Sequence, residues 1–292
     1  MKLILILSCL FVALLPDQAL AWGPGVHLAL GNVVLGNLGC LPPLLAALLS
    51  RHREAFLYGS LSADIFIGKG TRIKPGHSHN WVTGFKLLRS APDPRVTAYA
   101  YGYLTHLAAD VVAHNYFVPN TLADMRSGSK LSHVYVEAQA DRRFRQEHET
   151  ALALLRMPNR APDDTLLSAM HRRRLPFLVK KQLLKGSLSL TGRKSWTGSL
   201  RLADRLLHSS RVNRGLNEMF SLSENLVFDC LNELDGSPAV SFDPIGSGNL
   251  RLVREMRMKR QAVEQFIPDE DLLSIQRPLA DSGQPVLGRV GS

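Results

Sequence analysis

Apolar residues return every three or four positions through most of the chain, and runs that alternate apolar with polar are nearly absent. That spacing gives each segment one apolar side along a helix, so the pattern predicts an all-α domain, a multi-helix bundle. Helices are expected at 26–37, 42–57, 94–118, 131–155, 164–172, 176–186, 198–233 and 249–266. Breakers separate them: Leu41-Pro42-Pro43, Gly68-Lys69-Gly70, Lys74-Pro75-Gly76, Pro92-Asp93-Pro94, Pro158 to Pro162, and Gly236 to Gly248. Asp93 and Asp163 stand where helix N-caps are expected.

The first stretch has a different pattern. Lys2 precedes an apolar run from Leu3 to Leu15, Pro16 breaks it, and Ala19-Leu20-Ala21 closes it with small residues. This is the layout of a secretory signal, too short to span a bilayer, and cleavage would leave Trp22 as the first residue of a secreted or periplasmic protein. The 292 residues then divide into a signal at 1–21, a single domain at 22–274, and a flexible tail at 275–292 rich in Gly, Pro and Ser. Loss of Lys2 and Asp17 removes one charge of each sign, so the mature chain keeps a formal net charge of +10. Such a charge favours anionic partners, whether lipid, nucleic acid or cell surface. Cys40 and Cys230 survive cleavage in a compartment that permits disulfides, and one pair is no disulfide framework.

Histidine is concentrated where it can act together. Seven of the ten histidines lie between His27 and His133, with Asp64 and Asp110 set among apolar residues. His106, Asp110 and His114 follow one another at four-residue spacing on a segment that is otherwise apolar or small, so they share one stripe of a buried helix. A buried imidazole–carboxylate set needs compensation, either by hydrogen bonds within the set or by a divalent metal. His133 and Glu137 repeat the spacing, as a second wall of a metal site between facing helices or as a surface pair. Upstream, Asp64 lies within Ser60-Leu61-Ser62-Ala63-Asp64-Ile65-Phe66 and either caps a helix or ligates, while His77 and His79 close a loop in Gly76-His77-Ser78-His79-Asn80-Trp81. The start Trp22-Gly23-Pro24-Gly25-Val26-His27 offers a free α-amine after cleavage, whose low pKa suits it to ligate zinc beside His27.

Taken in order, these residues resemble the zinc-dependent phospholipase C superfamily, which includes single-strand nucleases and the catalytic part of glycosylphosphatidylinositol-specific phospholipase D. The resemblance covers Trp22 to Asp141. It implies about three zinc ions in a helical bundle. Trp22 and His27 would hold one ion, and Asp64, His106 and one of His77 or His79 a second. His114, His133 and Glu137 would hold the third, with Asp110 bridging the first two. His79 is preferred to His77 because Trp81 and Phe85 follow it at family-like distances. His114 follows Asp110 by four residues with no proline between, a spacing similar to the phospholipase D branch. So are Leu49 to Phe56 and His79 to Phe85, whereas the Trp-Gly start is similar to the nucleases.

The resemblance implies a phospholipase C-like hydrolase acting on phospholipid at a membrane surface. Zinc-activated hydroxide would attack phosphorus, and Asp64 would orient or deprotonate the water. Phospholipase D-like cleavage, single-strand nuclease activity, and a non-catalytic, metal-stabilised lipid-binding protein are the alternatives. Few aromatic residues are placed to stack bases, which weighs against nucleic acid. A basic amphipathic stretch at 171–196 carries Arg172, Arg173, Arg174, Lys180, Lys181, Lys185, Arg193 and Lys194 among leucines, and either contacts anionic lipid or is a solvated helix face.

Overall fold

A computed structural model describes residues 22–66, 76–124, 139–191, 212–259 and 261–276. The signal segment, His133, Glu137 and most of the tail lie outside the described residues. The chain is all-α as its periodicity predicts, and no strand occurs among the described residues. The helices are α1 (Pro24–Gly36), α2 (Pro43–Arg51), α3 (Arg53–Ser62), α4 (Trp81–Arg89), α5 (Pro94–Val112) and α6 (Val118–Asp124). There follow α7 (Glu147–Arg156), α8 (Arg160–Met170), α9 (Arg174–Thr191), α10 (Val212–Glu233), α11 (Ser247–Met258) and α12 (Glu270–Leu273).

Helix α5 is the axis of the bundle. It starts where Pro94 fits the first turn and the Asp93 carboxylate accepts from the Val96 amide at 2.9 Å. Beyond Ala98 almost every residue is buried, because α1, α3, α4 and α10 all pack on it. Contact with α3 is the most extensive. The two helices cross at Gly59 and Gly102, where a Cβ on either would run into the other helix's backbone at Tyr99 or Phe56. Only glycine permits that approach. After Val112 the helix widens into a π-turn, Ala113–Phe117, and resumes as α6.

Several elements depart from the periodicity. The expected helix 42–57 breaks at His52, and the break lets α3 lie along α5 while α2 touches it only at the edge. Helix α4 was not expected, since nine residues containing Gly84 give little periodic signal. Asn80 starts it, its side chain accepting from the Val82 amide at 2.8 Å. Helix α11 ends at Met258 instead of running to residue 266. Asp163 is no cap: Asn159 precedes α8, and Asp163 is buried within it, accepting from Lys181 Nζ at 2.8 Å and from the Tyr58 hydroxyl. Cys40 and Cys230 are both buried free thiols.

Candidate metal centre

Four structural elements bring the expected residues together. Helix α3 tightens at its end into a single 3-10 turn, Ala63–Ile65, which carries Asp64 into the interior at 2% exposure. The loop ahead of α4 brings in His77 and His79, both buried. It is held by the Thr83 hydroxyl donating to His77 O at 2.9 Å and by the Tyr103 hydroxyl donating to Ser78 O. Helix α5 supplies His106 and Asp110, its π-turn supplies His114, and α1 supplies His27.

Asp110 sits at the middle. Its Oδ1 faces His27 Nε2 at 3.4 Å, and its Oδ2 faces His79 Nε2 at 2.9 Å, His106 Nε2 at 3.2 Å and His114 Nε2 at 3.9 Å. Asp64 Oδ1 lies 3.3 Å from His79 Nε2 and 3.7 Å from His106 Nε2. The His27 and His106 rings stack with centroids 3.8 Å apart. The tautomer of His106 is fixed, because its Nδ1 is 2.8 Å from the carbonyl of Ser60, which can only accept. Nδ1 therefore carries a proton, which leaves Nε2, facing the carboxylates and His79, as the nitrogen that would ligate a metal.

His79, not His77, stands with Asp64 and His106. The Nδ1 of His77 accepts from the His79 backbone amide at 3.0 Å, so His77 shapes the loop that aims its neighbour. Trp22 is wholly buried; its indole N–H donates to Ala109 O at 3.1 Å, one residue before Asp110, and its ring stacks on Phe117. A further carboxylate, Asp141, gives no sign in the sequence pattern. Asp141 Oδ1 accepts from the Gly25 and Val26 amides at 2.7 and 3.1 Å, and Oδ2 pairs with His148 Nε2 at 2.5 Å. It caps the helix that carries His27, and a Cβ at Gly23 would collide with it.

Electrostatics agree with this geometry. Burial lowers the pKa of His27, as does the adjacent His106, while Asp110 and Asp64 oppose the shift; the ring is neutral at pH 7. Burial alone would raise Asp110, but the imidazoles of His106, His27 and His79 hold it well below the usual carboxylate range. The centre is thus an anionic carboxylate among buried rings. Both ring nitrogens of His27 and Asp110 Oδ1 are buried and form no hydrogen bond among the described residues. Buried polar atoms without a hydrogen bond are costly, and a divalent cation satisfies them. Among the described residues, two groups are close enough to hold one, His27–His106–Asp110 and Asp64–His79–His106, each with its ligand atoms within 4.8 Å of one another. Nitrogen and oxygen donors in such sets suit zinc.

Comparison with known proteins agrees with that chemistry. Residues 26–185, more than half of the 292, match the zinc dependent phospholipase C family, and the chain belongs to it. It is an all-α member of a family of hydrolases whose zinc dependence fits the buried histidine and aspartate groups. No curated protein and no solved structure matches the chain.

Proposed function

We propose that the protein is a secreted phosphodiesterase that hydrolyses phospholipids at phosphorus with a cluster of about three zinc ions. The observation that carries this reading is Asp110, whose Oδ1 faces His27 and whose Oδ2 faces His79 and His106 from a buried position. His27 with Trp22 would hold one ion, and Asp64, His79 and His106 a second, with Asp110 shared between them. His114, with His133 and Glu137, would hold a third. Bound zinc supplies Lewis acidity, neutralising phosphoryl oxygens and lowering the pKa of water.

The chain's own residues do the rest. Asp64 accepts the proton of the attacking water, and its position in a buried 3-10 turn sets where that proton goes. His106, oriented by the Ser60 carbonyl, would present Nε2 to the ion. Removal of residues 1–21 would free the Trp22 amine as a ligand, and the buried Trp22 indole, bonded to the carbonyl of Ala109 just before Asp110, supports this.

The test is zinc content of the secreted protein, with its N-terminus sequenced, beside hydrolysis of soluble dihexanoylphosphatidylcholine and single-stranded DNA. About three zinc per chain starting at Trp22, with turnover of the lipid, is expected. Turnover of DNA alone, or protein without zinc, would overturn the reading. Asp64→Asn should lose roughly 10²- to 10⁴-fold in kcat. Full zinc content together with full turnover in that variant would remove Asp64 from the mechanism.

A further inference from the structure

Helix α9 has two faces of unequal fate. Phe177, Lys181, Leu184 and Leu188 are buried against the bundle, where α9 packs on α7 and on the turn that carries Asp64. The opposite face leaves Leu175 74%, Leu178 43%, Val179 55% and Leu183 52% exposed. Residues 175, 179 and 183 are one turn apart, so they form a single aliphatic row. The helix cannot cross a bilayer, since no described helix is long and apolar enough.

Cations gather at the start of this row. Arg172, Arg173 and Arg174 are exposed, Arg174 bonding to the exposed Asp164. Helix α4 brings Lys86 to the same corner, its Nζ 3.0 Å from His171 Nε2. Val82, one turn before Lys86, is 68% exposed. Lys180 and Lys185 flank the row along α9, both half-buried. Among the described residues, Asp164 is the acidic partner of this corner, paired with Arg160 and Arg174, so the balance there is cationic.

This corner adjoins the metal centre on two sides. Phe177 packs on Phe66, ring centroids 5.4 Å apart, and Phe66 is two residues from Asp64. Gly76, next to His77, lies so close to Met170 at the end of α8 that a Cβ there would sit 2.7 Å from its carbonyl oxygen. The elements that hold Asp64 and the histidine loop thus pack on the inner face of α9 and on the end of α8, while the outer row itself touches neither.

We propose that the outer row of α9, with the basic corner at its start, is a docking surface for an anionic phospholipid bilayer. Aliphatic side chains ringed by cations match a partner that is apolar inside and anionic at its surface, and the bilayer interface is that partner. The choice of lipid over other anionic surfaces rests on the phosphodiesterase reading; the surface itself does not.

The experiment uses the zinc-loaded protein and vesicles of phosphatidylcholine containing about 30% phosphatidylserine, read by co-sedimentation. Binding should weaken with salt and be weaker on pure phosphatidylcholine. The triple variant Leu175→Gln, Val179→Gln, Leu183→Gln should bind at least about tenfold less, and Arg172→Glu with Arg173→Glu should do likewise at low salt. Both variants should turn over soluble dihexanoylphosphatidylcholine as the native protein does. Native-like binding by the triple variant, or equal binding to neutral vesicles, overturns the proposal. So does a solution dimer that the leucine substitutions dissociate, for the row would then pair two copies. Vesicle binding that fails in the variants of a protein inactive on the soluble lipid upholds the docking surface and removes the phosphodiesterase reading instead.

Discussion

At the scale of single residues, Asp110 and His27 carry opposite protonation costs in one buried site. Neutral His27 is held below the ordinary histidine value of 6.5 by burial first and by His106 second, so the unfolded chain takes up a proton that the folded chain refuses. The stability that depends on neutral His27 is complete above about pH 6.5 and is lost as pH falls through the lowered folded value. Asp110 is depressed from an ordinary value of 3.8, so its contribution is lost only at lower pH still. In metal-free protein, urea denaturation should show stability falling as pH drops below about 6.5, by up to about 1.4 kcal/mol per pH unit from His27. His27→Gln should flatten that slope, and an unchanged slope would mean that His27 titrates normally. With zinc present, Asp110→Ala should remove about two ions and His114→Ala no more than about one, measured by elemental analysis.

At the scale of elements, what the sequence discloses depends on whether the partners share a helix. His106, Asp110 and His114 were legible because a four-residue period aligns them on α5 and its π-turn. Asp141 was not, because the amides it caps lie more than a hundred positions away. Removing that cap with Asp141→Ala should destabilise the protein by about 1–2 kcal/mol and leave α1, with His27, less firmly placed. Lys181 lies in the basic stretch of α9, yet it faces inward between Asp163 and the rings of Tyr58 and Phe177. Composition gives no sign of which lysine in a cationic run turns to the core. Burial raises Asp163 and lowers Lys181, each attraction only partly offsetting the cost, so the pair is expected to matter most when broken. Lys181→Met should cost about 3–5 kcal/mol in chemical denaturation, and pairing it with Asp163→Asn should recover part of that loss.

At the scale of the molecule, the metal groups join segments that the apolar core holds only in part. His27 comes from α1, Asp64 from the turn after α3, His79 from the loop before α4, and His106 and Asp110 from α5. The helices around α5 bury a continuous apolar core without help from these residues, so helix content should survive chelation. The ends that meet at Asp110 should not survive it unchanged, because carboxylates and imidazoles would then be left buried with incomplete partners. An ion that binds only the folded chain, at a thousand times its dissociation constant, contributes about 4 kcal/mol. For a domain of this size that corresponds to roughly 8 °C or more in Tm per tightly held ion. Calorimetry with zinc and with excess chelator should therefore show a fall of at least about 8 °C, with little change in far-ultraviolet circular dichroism at 20 °C. Coincident transitions would mean that the histidines and aspartates form a hydrogen-bonded network complete in itself. The buried ring nitrogens of His27 and Asp110 Oδ1, which make no hydrogen bond among the described residues though Nε2 and Oδ1 stand 3.4 Å apart, argue against such a network.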